Sequence, residues 1–331
     1  MPIPTDGYPR AAAVSPRVQI TESTDSTNAD VLAAAAADPA GWPHLSVLLT
    51  TDQRAGRGRL DRSWTTPPGT ALAMSVVVRV PDLPVAARGW IPLVAGAAMA
   101  RAVGAQLRGT PHSATLKWPN DVLIDGGKVC GILAEVVAGD PDTVVVGAGV
   151  NTRMTRADLP VDTAISFAAL GLTCDDDRLV ADFLSALDEQ LSALVAAGGD
   201  AAASGVSGEV SALCSTLGAD VAVQLPDGTR LTGRAARLDA DGRLVVADAT
   251  GIETRQMTLG HLQRGGSPTA YDRVLATRFG VGAIDAVVAE QWGTMVALDG
   301  IDIATVSLTD AVGTLKTVPR ARYDEAAILF G

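Results

Sequence analysis

Between positions 53 and 59 the chain reads Gln53-Arg54-Ala55-Gly56-Arg57-Gly58-Arg59, so residues without a Cβ alternate with guanidinium groups. Glycine lets a backbone wrap closely around a ligand, and each arginine presents five donors in a planar fork, so the pattern suits a carboxylate or a phosphate. A solvated basic loop is the plain structural reading of the same residues. Arg62 extends the basic stretch and Trp64 follows it. The indole offers a flat face for a purine, or simply packs in a core.

Three further segments carry unusual chemistry. Lys117-Trp118-Pro119-Asn120-Asp121 places a lysine, an asparagine and an acid in one run. A proline there ends a strand ladder and turns polar groups outward. Lys128 leads the apolar run Val129-Cys130-Gly131-Ile132-Leu133, where a lysine is costly unless it meets an anion or guards a strand edge. Gly147-Ala148-Gly149-Val150-Asn151 ends a strand with glycines that permit close approach.

Composition sharpens the selection. The 331 residues hold 26 basic and 37 acidic side chains, for a net charge of −11. Such a balance argues against binding to nucleic acid or an anionic membrane and makes the local cluster Arg54, Arg57, Arg59 and Arg62 the informative exception. Only Lys117, Lys128 and Lys316 are lysines, and only Asn28, Asn120 and Asn151 are asparagines. Cys130, Cys174 and Cys214 form no CxxC pair, which argues against disulfides or a zinc site. No apolar stretch reaches membrane-spanning length and the first residues lack the features of a signal peptide, so a cytoplasmic location is expected.

The elements that must hold these residues follow from periodicity and punctuation. Asp25-Ser26-Thr27 supplies capping residues for a short helix that stops at Asp38-Pro39. Strands are expected over 45–50, 71–80, 115–118, 122–124, 128–137 and 143–150, with a small-residue helix over 92–107 and an amphipathic helix over 176–197. From Ala219 the rhythm changes to short strands with Asp-Gly turns, as in a small β-barrel. Residues 1–20, rich in proline and alanine without periodicity, read as a mobile lead-in with no room for a helix-turn-helix.

Taken together, Asp25-Ser26-Thr27-Asn28, Gln53 to Arg59 with Trp64, Lys117 to Asp121, Lys128 to Leu133 and Gly147 to Asn151 resemble, in order and spacing, the motif segments of biotin protein ligases. The resemblance runs from about Thr21 to Asp248. It implies an α/β (α+β) fold: a mixed-sheet biotin/lipoate ligase catalytic domain over 21–210, then a small SH3-like β-barrel over 211–250. It also implies roles. Ser26, Thr27, Asn28 and Gln53 would line a biotin pocket with Gly56 and Gly131, and Arg57, Gly58, Arg59 and Lys128 would meet the carboxylate and phosphate. Arg57, Arg59 and Lys128 would be the catalytic cations. Arg62, Trp64, Lys117, Asn120 and Asn151 would serve ATP and Mg²⁺, with no metal ligand assigned. The implied partner is a biotin carboxyl carrier domain, with homodimerisation left open. A lipoate or octanoate ligase of the same fold is the alternative.

The last segment, 251–331, resembles something else. Gly251 to Arg255, His261 to Arg273, Lys316 to Pro319 and Phe330-Gly331 are similar to the C-terminus of bacterial 6-phosphofructokinases, an α/β fragment. The resemblance implies sugar-phosphate binding at Arg255, His261 and Arg264. The glycine-rich ATP segment and the Thr-Ile-Asp-Asn-Asp run of that family are missing, so kinase activity is not expected. The tail reads as a stranded fragment, or alternatively as a sugar-phosphate sensor acting on the ligase.

Overall fold

Ser26 accepts a hydrogen bond from the backbone N–H of Ala29 and so caps the helix that begins at Thr27. That helix is one of the pieces that place the motifs in the computed structural model, which describes residues 7–58, 63–224, 230–247, 253–255 and 270–313. In chain order the first unit comprises α1 (Pro9–Val14), β1 (Val18–Ile20), α2 (Thr27–Ala37), β2 (Val47–Thr50), β3 (Gly56–Arg57), β4 (Ser63–Trp64), β5 (Ala71–Arg79), α3 (Ile91–Gln106), β6 (Ala114–Lys117), β7 (Asp121–Ile124), β8 (Gly127–Val137) and β9 (Asp140–Asn151). These are followed by α4 (Asp176–Ala196), α5 (Val206–Leu213), β10 (Asp220–Gln224), β11 (Arg230–Leu238), β12 (Leu244–Ala247) and β13 (Glu253–Arg255).

Seven strands form a mixed sheet in the order β1-β2-β5-β9-β8-β7-β6. Only β1 and β2 run parallel; the other neighbours are antiparallel. The central strand β5 is buried along almost its whole length, which explains why it reads as an unbroken apolar run rather than an alternating one. Leu72, Met74, Val76 and Val78 join a core with α3 and α4, whereas Val77 packs with Val31 and Ala35 of α2. Two helices therefore cover one face and α2 covers part of the other.

Residues 7–20 correct the expectation of a mobile lead-in. Asp177 accepts hydrogen bonds from the backbone N–H groups of Arg10 and Ala11, Ala11 is fully buried, and β1 adds a parallel strand to the sheet edge. Ala11, which carries no periodic signal, is the small residue this close packing needs.

The expected barrel is present only as a four-stranded antiparallel sheet, β10-β11-β12-β13. No closed barrel is found among the described residues. The sheet is tied to the first by two indoles: Trp90 Nε1 donates to the Ala240 carbonyl at 2.7 Å and Trp118 Nε1 to that of Gly242 at 3.2 Å.

A second unit spans 264–331. Its described part is α6 (Ala270–Val288), the hairpin β14 (Thr294–Asp299) with β15 (Asp302–Ser307), and α7 (Leu308–Val312). Among the described residues of the whole chain no helix is long and apolar enough to cross a membrane.

Candidate active-site cleft

The motifs converge where α2, the β3–β4 ladder and the ends of β7, β8 and β9 meet. They line a cleft enclosing about 850 Å³, part of it open to solvent. Ser26, Thr27, Asn28, Gln53, Arg57, Gly58, Trp64, Asn120, Lys128 and Gly131 all line it. From Ser26 to Gly131 these residues span more than a hundred positions of the chain, and the sheet brings them together.

One wall is a hydrogen-bonded polar chain. Gln53 Oε1 accepts from the Thr27 backbone N–H at 2.8 Å and lies 3.0 Å from Thr27 Oγ1. Ser75 Oγ lies 2.8 Å from Thr27 Oγ1 and 2.5 Å from Asn28 Oδ1. Asn28 Nδ2 donates to the Leu133 carbonyl at 3.2 Å and to Glu135 Oε2 at 2.9 Å. All of these residues except Glu135 and Leu133 are buried, so their polar atoms must be satisfied within the protein or by a ligand.

Glycines set how closely the walls approach. A Cβ on Gly147 would lie 2.2 Å from Asn28 Oδ1, and one on Gly149 2.7 Å from Trp64 Cζ2. Only glycine lets α2 and the Trp64 indole press onto β9 at these points. Gly56 sits behind the wall rather than on it, against the Gln53 amide and the Trp64 carbonyl.

The cations are already paired. Arg57 Nη2 is 3.1 Å from Glu135 Oε2, and Lys128 Nζ is 2.6 Å from Asp121 Oδ1. Both cationic side chains remain more than 40% exposed, at 48% and 43%, so each can exchange its carboxylate for an incoming anion. Between Lys128 and Gly131, burial pushes the Cys130 thiol up to about 12, which makes it a neutral packing group and not a nucleophile.

Two expected residues stand apart. Lys117 is exposed on the edge strand β6 and does not line the cleft; its backbone, paired with Asp121, is what sets the adjoining turn. Asn151 is buried behind the cleft, donating to the Ile165 carbonyl at 3.0 Å and so bracing the strand that carries Lys128. Arg59, Arg62, His261 and Arg264 lie outside the described residues, and Arg255 is described only by its place in β13. Sequence reasoning passed over Ser75 and Glu135. Each had a signal: Ser75 is the one polar residue of β5 before its terminal Arg79, and Glu135 the one charged residue of β8 after Lys128.

Comparison with known proteins decides the family. The description "Biotin/lipoate A/B protein ligase family" matches residues 20–151. Over 231 residues the chain is 38% identical to the biotin–[acetyl-CoA-carboxylase] ligase of Mycobacterium tuberculosis, covering 69% of this chain and 82% of that one. The chain belongs to the biotin protein ligase family. Its fold agrees with a biotin protein ligase from Aquifex aeolicus solved in complex with biotin and ATP, at a TM-score of 0.58 and 22% identity over 73% of this chain and 96% of that chain. The end of the chain has different kin. A phosphofructokinase description matches residues 239–287, a span that opens within the four-stranded sheet. Over 102 residues the chain is 55% identical to the ATP-dependent 6-phosphofructokinase of Mycobacterium tuberculosis, 31% of this chain but only 29% of that one. A biotin-ligase-family segment is thus followed by less than a third of a phosphofructokinase-like chain.

Proposed function

We propose that this chain activates biotin with ATP to form biotinyl-5′-AMP and transfers the biotinyl group to a lysine of a biotin carboxyl carrier domain. The observation that carries this reading is the cleft itself, where a buried polar wall faces two exchangeable cations. A ureido ring needs the former and two reacting anions need the latter.

In the first step a biotin carboxylate oxygen attacks the α-phosphorus of ATP, the acyl–phosphate bond forms and pyrophosphate leaves. Arg57 and Lys128 offset the repulsion between the anions and hold them in line. Arg59 and Gly58 belong to the same role, with Trp64, Asn120 and Arg62 on the nucleotide. Lys117 and Asn151, which stand outside the cleft lining, are assigned to the nucleotide end as well. In the second step the carrier's lysine amine attacks the acyl carbon and AMP departs, so the enzyme needs no nucleophile of its own.

Mg²⁺ neutralises the polyphosphate when bound with ATP. Among the described residues no group of three or more His, Cys, Asp or Glu is arranged to hold a metal. That fits an ion carried chiefly by phosphates and water with one or two protein carboxylates, and Asp121 is the acidic side chain on the cleft wall.

The catalytic domain is assigned to 21–210 and the small sheet, in the place of an SH3-like barrel, to 211–250, with 251–331 as the phosphofructokinase-like fragment. The location proposed with this function is the cytoplasm, where ATP and a carboxylase carrier would both be at hand. A lipoyl or octanoyl substrate would leave the Thr27–Gln53–Asn28 wall facing an aliphatic chain, at a desolvation cost that favours biotin instead.

The test is biotin-dependent pyrophosphate release by the whole chain, with labelling of a carrier domain read by avidin blot. Lys128→Ala or Arg57→Ala is expected to lower the rate about 100- to 1,000-fold, the typical loss when one charge-stabilising group is removed. Release stimulated by lipoate but not biotin would overturn the reading.

A further inference from the structure

Glu135 is not among the residues that line the cleft, yet one of its oxygens holds two residues that are. Oε2 accepts from Asn28 Nδ2 at 2.9 Å and from Arg57 Nη2 at 3.1 Å. No residue role assigned above uses it.

The contacts around Asn28 leave its carboxamide one orientation. The partners on one side, the Leu133 carbonyl and the Glu135 carboxylate, accept hydrogen bonds, so the NH₂ must face them and both its protons are consumed. On the other side Ser75 Oγ is 2.5 Å from Oδ1. A contact that short needs a proton on the line, which the Ser75 hydroxyl supplies. The proton on the 2.8 Å line between Ser75 Oγ and Thr27 Oγ1 is then the Thr27 hydroxyl's, and Gln53 Oε1 keeps the Thr27 backbone N–H. Among the described residues, the only hydrogen-bonding capacity Asn28 retains is the second lone pair of Oδ1.

We propose that Glu135 is a positioning residue that sets the polarity of Asn28, so that the cleft presents an acceptor at this point and selects a ligand bearing an N–H donor. The same oxygen holds Arg57 beside the cleft until an anion replaces it. This rests on the biotin-ligase reading, in which the N–H belongs to the ureido ring. Without Glu135 the carboxamide can turn over, offer NH₂ to the ligand and lose the match.

Both contacts fall on a single oxygen, and that determines the variants. Glu135→Gln can place its amide oxygen at the Oε2 position and keep both bonds without the charge. Glu135→Asp keeps the charge but is one methylene short. Glu135→Ala removes both. A charge role and a positioning role therefore predict opposite rankings.

The experiment measures pyrophosphate release by the full chain with biotin and with biotin methylated at each ureido nitrogen in turn, recording KM for biotin and for ATP and the melting temperature of every variant. The wild type should discriminate against at least one N-methyl compound. Glu135→Asp and Glu135→Ala should raise the biotin KM about tenfold, the equivalent of one hydrogen bond, and shrink that discrimination by a similar factor. Glu135→Gln should stay within about threefold of wild type on both counts. The proposal is overturned if Asp, and not Gln, preserves the biotin KM, or if all three variants keep the wild-type discrimination. Because Gln is isosteric, a misfolded Glu135→Ala protein does not remove the comparison. A wild type that releases no pyrophosphate with biotin would instead end the ligase reading, and this inference with it, while an active wild type with unchanged variants would end this inference alone.

Discussion

α3 and α6 are both helices of more than a dozen residues with a high share of alanine and valine, and they meet opposite fates. In α3, eleven of sixteen residues are buried, and Arg101 is its one charged residue. In α6 no described side chain is buried. Val274, Val281, Ile284 and Val288 fall at helical spacing, and each is more than half exposed. Such a stripe encodes a helix that expects a neighbour. The difference teaches that a sequence can specify a helix without supplying what covers it. The phosphofructokinase relative is in total more than three times as long as the matched stretch, ample chain to bury such a stripe, whereas α3 finds α4 and the sheet within its own unit.

The comparison breaks most sharply at a large core side chain. Phe183 of α4 is fully buried in the cluster with α3. Its replacement by alanine removes the ring and leaves a cavity, so Phe183→Ala is expected to cost roughly 3–5 kcal/mol, read as a lowered midpoint in urea. A loss below about 1 kcal/mol would mean that the core collapses around the gap and is less rigid than its packing indicates.

Smaller, and aimed at the cleft, is Gly147→Ala. The new Cβ would start 2.2 Å from Asn28 Oδ1, so either α2 or the carboxamide must shift. Overpacking of this kind costs about 1–3 kcal/mol. The informative readout is the pair: a modest fall in melting temperature together with a rise in biotin KM. A fall in stability with an unchanged biotin KM would move Asn28 out of ligand contact.

Much of the cleft was legible before any fold was known, because chemistry-bearing residues are rare in this composition. Lys128 and Asn28 stand out in a chain with three lysines and three asparagines. The strands of the large sheet were legible for a related reason: β5 and most of β9 are buried on both faces and read as continuous apolar runs. What could not be read depended on partners distant in sequence. Asn151 stands out by its rarity, but that its Nδ2 donates to the Ile165 carbonyl is visible only once the fold brings the two together. Ser75 stands out as a hydroxyl in an apolar run, but its partner Asn28 arrives only with α2. The order of residues 7–20 was missed for a third reason, since a single small residue, Ala11, packs there and leaves no periodic trace.

The smallest expected effect is also the one that tests the tail. Ile284 is 64% exposed, so Ile284→Ser removes little buried area and should change the unfolding free energy of the chain by less than about 0.5 kcal/mol. Its consequence should appear elsewhere. An exposed apolar stripe binds hydrophobic dyes and promotes association, and a serine in its middle should lower both dye fluorescence and light scattering while biotin-dependent pyrophosphate release stays unchanged. If the substitution instead costs 2 kcal/mol or more, the range of a buried side chain, then α6 has found a cover in solution, and the contrast with α3 reduces to where that cover comes from.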